Sequence, residues 1–147
     1  MRFVLAPLAS IVFLAAAAPA QIYEAHTPAS VTALTIRGNA ATVDVWRIYA
    51  NLPAMQHLQW RASYDGYALR FAGHQFFGNC KPMRVDYAAA GAVRLDDGAG
   101  HTASLDRRSK SALDLAVHRL SVIKHLQAAQ PLLKIPLEVA FGPACGR

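Results

Sequence analysis

Apolar and polar residues alternate along much of the chain, which predicts β-strands for most of its length. Val31–Ile36 and Thr42–Tyr49 are two such runs, and the Arg-Gly-Asn turn at 37–39 separates them, so we expect a hairpin. In the second run the alternation changes phase after Val45. That change indicates either a β-bulge or a strand that is covered on both faces.

A second hairpin is predicted further along the chain. His57–Ala62 and Tyr67–Phe71 alternate on either side of a Tyr-Asp-Gly turn at 64–66. Three further short strands are predicted at Met83–Tyr87, Ala92–Leu95 and His101–Leu105. The apolar positions expected in the core of this region are Tyr67, Leu69, Phe71, Met83, Val85 and Tyr87.

Two stretches beside these strands are predicted to be irregular. Gln21–Ser30 shows no periodicity, and we expect a loose segment there. The Asp-Asp-Gly-Ala-Gly stretch at 96–100 has turn composition but lacks the alternating oxygen ligands and distal glutamate of a calcium loop. We therefore expect a solvated turn at 96–100.

The pattern changes to a helical one near the C-terminus. From Ser109 to about Gln130 the apolar residues recur every three or four positions, and Pro131 follows as a stop signal. Asp106 or Ser109 can cap the start of this helix. Strict alternation then predicts a last strand at Leu133–Phe141. The predicted fold class is α+β: a curved, barrel-like antiparallel β-sheet with one main amphipathic helix near the C-terminal third.

The first residues have the three parts of a secretory signal peptide. Met1-Arg2 is positive, Phe3–Ala17 is continuously apolar, and Ala18-Pro19-Ala20 offers small residues for cleavage. We therefore expect residues 1–20 to be a signal peptide and residues 21–147 to form a single domain. The alternative is an N-terminal membrane anchor, although the apolar run is short for a bilayer span. The prediction is a periplasmic or secreted protein with no transmembrane segment after cleavage.

Net charge suggests partners without identifying one. The formal net charge is +6, which favours anionic surfaces, but the basic residues are mostly scattered arginines, as general solubility would also require. The exception is Arg107, Arg108 and Lys110, a candidate anion or partner surface near the predicted start of the helix. A solvated charged turn is the alternative for these three residues. Pairs such as Trp46-Arg47 follow strand alternation, so no nucleic-acid partner is expected.

The two cysteines, Cys80 and Cys145, predict a disulfide, because two cysteines in a small exported domain are usually oxidised in the compartment where the protein works. The alternative is a nucleophilic Cys80 beside His74 or His101, although no motif places a base there. His74, Phe76 and Phe77 lie in a glycine-bracketed corner and form a second candidate partner surface.

Catalytic and metal motifs are missing from the sequence. His118 and His125 are two helical turns apart, too far to chelate one ion as an i, i+4 pair does. Asp114 and His118 do have that spacing and can support the helix. Because no phosphate loop, dinucleotide fingerprint or serine elbow is found, we expect no cofactor, no metal and no enzymatic activity.

Residues 67–126 resemble the META domain, also called the HslJ-like domain, of bacterial envelope proteins. The matching positions are the strand Leu69-Arg70-Phe71, the corner Gly78-Asn79-Cys80, Tyr87, Gly91, Thr102 and the helical segment Leu113–Leu120. The departures are Asn79, Lys81 and Val85, and Ser104-Leu105-Asp106 where the family has Met-Ala-Cys. The resemblance implies an α+β fold, an envelope location and a link to stress tolerance. It further implies that Cys145 replaces the missing family cysteine as the partner of Cys80.

These observations lead to three functional hypotheses. The first is an exported, non-enzymatic META-like protein that supports envelope integrity or stress tolerance by binding another envelope protein or an anionic envelope component. The alternative is a secreted inhibitor or binding module that acts on a lysozyme-like cell-wall hydrolase. The third is an enzyme that uses Cys80 and a histidine.

Overall fold

The computed structural model describes residues 17–49, 52–71, 73–74, 81–126 and 144–145. The strands among these residues are β1 (Gln21–Thr27), β2 (Ser30–Arg37), β3 (Ala40–Arg47), β4 (Gln56–Tyr64), β5 (Ala68–Phe71), β6 (Gly73–His74), β7 (Met83–Tyr87), β8 (Val93–Asp96), β9 (Thr102–Arg108) and β10 (Ala144–Cys145). Eight antiparallel strands form a closed barrel in the order β1-β2-β3-β4-β5-β7-β8-β9, and β9 pairs with β1 to close the ring. Helix α1 covers Lys110–Leu126, and β6 pairs with β10 in a separate two-stranded sheet.

Apolar side chains fill the interior of the barrel. Successive residues of a strand point to opposite faces, so every second position of each barrel strand contributes to this core. The buried interior side chains are Tyr23, Leu34, Ile36, Ala41, Val43, Val45, Leu58, Trp60, Tyr64, Leu69, Met83, Val85, Val93, Leu95 and Leu105. The strands thus enclose a packed core, as expected for eight strands.

Helix α1 packs on the outside of the barrel, against β1 and β2. Leu113 and Leu120 of the helix are buried in a second apolar cluster with Val31 and Ala33 of β2. The Ser109 hydroxyl accepts a hydrogen bond from the Ala112 N–H at 3.2 Å and caps the helix start. Apolar residues also lie outside this contact, because Leu115, Val122 and Leu126 are exposed.

The predicted barrel-like antiparallel sheet with one C-terminal helix is confirmed at this level. Both hairpins form, as β2–β3 and β4–β5. The first turn lies within the predicted residues, and the second covers 65–67, one residue later than predicted, because Tyr64 still belongs to β4. The phase change in β3 is explained by burial on both faces: Val43, Asp44 and Val45 are all buried, and the pairing with β2 and β4 continues without a bulge.

The prediction of a loose segment at Gln21–Ser30 was wrong. Gln21–Thr27 forms β1, which pairs along its whole length with β2 and also with β9. Ile22, Tyr23 and Glu24 are consecutive and all buried, because the helix covers one face of the strand and the core covers the other. A strand buried on both faces loses the period of two on which the sequence prediction depended.

Three smaller predictions also need correction. Tyr67 and Tyr87 were expected in the core but are exposed, Tyr67 in the β4–β5 turn and Tyr87 at the end of β7. The last barrel strand extends to Arg108, three residues beyond the predicted Leu105. The turn at 96–100 is present, but Asp97 within it is buried, only 1% exposed.

Several predictions fall outside the described residues and stay predictions. They are the apolar run of the signal peptide up to residue 16, the helix stop at Pro131, the strand Leu133–Phe141, the corner residues Phe76 and Phe77, the corner motif at 78–80 with Cys80, and the side chain of His74. In the part of the chain that the structure describes, no helix is long and apolar enough to cross a membrane.

Candidate functional site

Aromatic and polar side chains gather at one end of the barrel, in a group that we call the tyrosine mouth: Gln21, Tyr23, Tyr64, Tyr87 and Arg107. The hydroxyls of Tyr64 and Tyr87 lie 2.7 Å apart, and the Tyr23 hydroxyl donates a hydrogen bond to the Gln21 Oε1 at 3.0 Å. The rings of Tyr23 and Tyr87 meet edge to face with centroids 6.3 Å apart. One connected hydrogen-bonding and aromatic group therefore borders the packed core.

The strand register brings these side chains together. Tyr23 and Arg107 are directly paired across the β1–β9 seam, and the Arg107 guanidinium carbon lies 5.8 Å from the centroid of the Tyr23 ring. This is the geometry of a cation–π contact. Among the described residues, no carboxylate oxygen lies within 4 Å of Arg107. Its positive charge is therefore uncompensated by any of those carboxylates.

Two tyrosines of the mouth, Tyr23 and Tyr87, have a raised pKa. Partial burial and the hydrogen bond with Tyr64 raise the pKa of Tyr87 to about 12. Burial, followed by the interaction with Tyr87, also raises the pKa of Tyr23 above its usual value of 10.0. Both side chains are neutral hydroxyls at physiological pH. Arg107 then supplies the positive charge among the five residues of the mouth, and it supplies N–H donors only.

The structure separates the three basic residues that the sequence grouped together. Arg107 is at the mouth, but the Arg108 Nε lies 3.6 Å from a carboxylate oxygen of the buried Glu24. Lys110 pairs with Asp114 one turn along the helix. Arg107 alone of these three cations has no described carboxylate partner, so it is the one most available to an external anion.

A second polar group lies on the outer wall of the barrel, where β3 pairs with β4. The Asp44 Oδ1 accepts hydrogen bonds from His57 Nε2 at 2.8 Å and from Gln59 Nε2 at 2.9 Å. The His57 ring stacks on Trp46 with centroids 4.7 Å apart and planes 4° from parallel. Because the carboxylate only accepts, His57 carries a proton on Nε2. This group fixes the ring, but it includes no nucleophilic side chain.

The remaining described histidines form no metal site. His26 and His101 each contact a carboxylate, of Glu24 and Asp97 respectively. His118 is exposed, and the His125 Nδ1 lies 2.8 Å from the Ser121 carbonyl oxygen. Within the described ranges, no group of three or more histidine, cysteine, aspartate or glutamate residues is placed to hold a metal ion.

The backbone brings the C-terminal tail to the predicted corner. Ala144 pairs with His74, and Cys145 pairs with Gly73. Cys80 lies outside the described residues, so the disulfide between Cys80 and Cys145 stays a prediction, as does a partner surface at Phe76 and Phe77.

Sequence reasoning missed most of the tyrosine mouth. Tyr23 and Gln21 lie in the segment predicted to be irregular, and Tyr64 was assigned to a turn. The available signal was the apolar pair Ile22-Tyr23 followed by Ala25, which is compatible with a strand covered on both sides. The pairing of β1 with β9 could not be predicted, because pairing between distant strands leaves no pattern in the local sequence of either strand.

Comparison of the chain with protein-family models, with curated proteins and with solved structures gives no match in any of the three. The resemblance to the META domain therefore stays a prediction.

Proposed function

We propose that this chain is an exported, non-enzymatic protein of the cell envelope that binds an acidic envelope component through the tyrosine mouth. In this proposal it is a META-like protein, and the binding supports envelope integrity or stress tolerance. The observation that carries the binding site is the position of Arg107, at the end of a filled barrel and without a described carboxylate within 4 Å.

The form of the barrel supports binding at its rim. Since apolar side chains of the described strands pack in the interior, a ligand is expected to contact the rim or the outer wall. Tyr87 is 53% exposed at that rim, and Tyr and Arg are among the residue types enriched at the energetic centres of protein interfaces. A guanidinium and a phenol together offer charged and neutral hydrogen-bonding groups that suit a carboxylate or phosphate.

A pull-down from envelope extract tests the site. The wild-type protein is expected to retain an acidic component, and Arg107→Gln is expected to lose most of it because the charge is removed while the size is nearly kept. Arg107→Lys should retain part of the binding. Arg61→Gln is the matched control, since Arg61 is an exposed arginine on the outer wall of β4. Equal retention by wild type and Arg107→Gln would reject the mouth as the binding site.

The second candidate function is inhibition of a lysozyme-like cell-wall hydrolase. Glycoside hydrolases work with a pair of carboxyl groups, and the uncompensated Arg107 guanidinium is complementary in charge to such a pair. In this case the pull-down recovers one hydrolase in stoichiometric amount, and its activity is inhibited by wild type but not by Arg107→Gln. Recovery of an acidic polymer without a hydrolase would support the first proposal instead.

A further inference from the structure

A groove of about 440 Å³ lies between α1 and the turn that joins β1 to β2, away from the tyrosine mouth. Its apolar wall consists of Val31 from β2 and Ala116, Leu120 and Ile123 from the helix. A volume of this size lies within the usual range of small-molecule sites, about 300–1,000 Å³. The groove is therefore large enough for a ligand, and most of its lining surface is apolar.

Two basic side chains line the same groove, Arg119 and His26. His26 Nδ1 is 3.0 Å from the Glu24 Oε1, and the Arg108 Nε is 3.6 Å from the Oε2 of the same carboxylate. Arg119 is exposed and has no carboxylate oxygen within 4 Å among the described residues. One guanidinium thus remains for an anionic group bound beside the apolar wall.

We infer that the groove binds a free fatty acid, with the acyl chain along the apolar wall and the carboxylate at Arg119. An apolar chain matches the wall, and one carboxylate charge matches the one uncompensated guanidinium. A phosphomonoester head group carries a charge of about −1.5 to −2 and is matched less well. This site is independent of the tyrosine mouth, because the two share no residue.

Titration of the whole mature protein with saturated fatty acids of increasing length tests this inference. Affinity is expected to rise about fourfold with each added methylene until the groove is full, because burial of each methylene contributes a constant free energy. The n-alcohol of equal length should bind more weakly to the wild-type protein, since it cannot pair with Arg119.

Substitutions separate the head group from the chain. Arg119→Gln should weaken fatty-acid binding about fivefold and leave alcohol binding unchanged, because an exposed ion pair contributes modestly. Ala116→Phe should remove binding of both ligands by filling the groove. Arg107→Gln and Arg61→Gln are the controls, and both should bind fatty acids as the wild type does.

Two results would overturn the inference. One is affinity that does not depend on chain length; the other is equal affinity of Arg119→Gln and wild type for the acids. Because Arg119 is exposed, its substitution should not disturb folding. The comparison of Arg119→Gln with wild type therefore tests the inference even if circular dichroism shows that Ala116→Phe is unfolded. Loss of the pull-down partner in Arg107→Gln with normal fatty-acid binding would support both sites separately.

Discussion

Every buried carboxylate in the described part of the chain is paired with a histidine. Glu24, Asp44 and Asp97 are 4%, 9% and 1% exposed, and a nitrogen of His26, His57 or His101 lies within 3.0 Å of the respective carboxylate. A buried charge without partners would be costly. The three pairs, Glu24–His26, Asp44–His57 and Asp97–His101, reduce that cost.

Asp97 provides the clearest dependence on pH. Burial by itself would raise the pKa of Asp97, but hydrogen bonds from the Ala99 N–H and from the His101 side chain and N–H outweigh it. The pKa is therefore lowered from its ordinary value of 3.8. A carboxyl group with a lowered pKa stabilises the folded state above its unfolded pKa, and the contribution is lost as the pH falls through the folded pKa.

The first prediction concerns Asp97→Asn, measured by urea unfolding at a series of pH values. We expect the variant to be less stable than wild type by about 1.5 kcal/mol at neutral pH, because charge-assisted hydrogen bonds are lost. The difference should shrink as the pH falls below 3.8, where the wild type loses the same contribution. Asp106→Asn is the control, since that side chain is 70% exposed. A difference that does not change with pH would contradict this account of Asp97.

At the scale of elements, the sequence predicts the strands that keep one face in solvent. β4 is the best case, with Leu58 and Trp60 buried and His57, Gln59 and Arg61 exposed in strict alternation. The prediction missed β1, because both faces of that strand are covered and the alternation that identifies β4 is missing there.

The candidate site was less predictable than the fold, because it depends on contacts between distant strands. Arg107 was identified from its charge, but its partner Tyr23 lies across the closing seam of the barrel. Burial of Asp97 likewise could not be inferred, since turn composition predicts exposure and the hydrogen bonds that hold its carboxylate are a property of the folded turn.

The second prediction concerns the start of α1. Ser109→Ala should destabilise the protein by about 1 kcal/mol, because the Ala112 N–H loses the acceptor that caps it. Ser109→Asp should restore the stability, since aspartate caps a helix as well as serine does. Ser104→Ala on the exposed face of β9 is the control. Chemical unfolding of all four proteins measures the differences, and equal stability of Ser109→Ala and wild type would show that the cap contributes nothing.

At the scale of the whole molecule, the tail strand β10 pairs with β6, the short strand that follows β5 in the chain. Cys145 pairs through its backbone with Gly73, in the part of the sequence that leads to Cys80. The pairing is only two residues long in each strand, and so short a sheet is weak alone. A disulfide between Cys145 and Cys80 would therefore add much to the stability of this two-stranded sheet.

The third prediction tests that bond by thiol titration of the unreduced protein in denaturant. We expect no reactive thiol in the wild type and one in Cys145→Ser. Reduction should lower the free energy of unfolding by about 4 kcal/mol, according to the chain-entropy model. One or two reactive thiols in the unreduced wild type would exclude the disulfide and would support the alternative hypothesis of a nucleophilic Cys80.

The seam between β1 and β9 also determines when the chain can complete its fold. The other seven barrel pairings join strands that are close in sequence, whereas Ile22 must find Arg108 across nearly the whole barrel sequence. Pairing between such distant segments is slow because a long loop has to close first. Until it forms, β1 and β9 each present a row of unpaired N–H and C=O groups, which can recruit a strand from another chain. During folding, the protein can therefore associate edge to edge with another chain only until β9 pairs with β1.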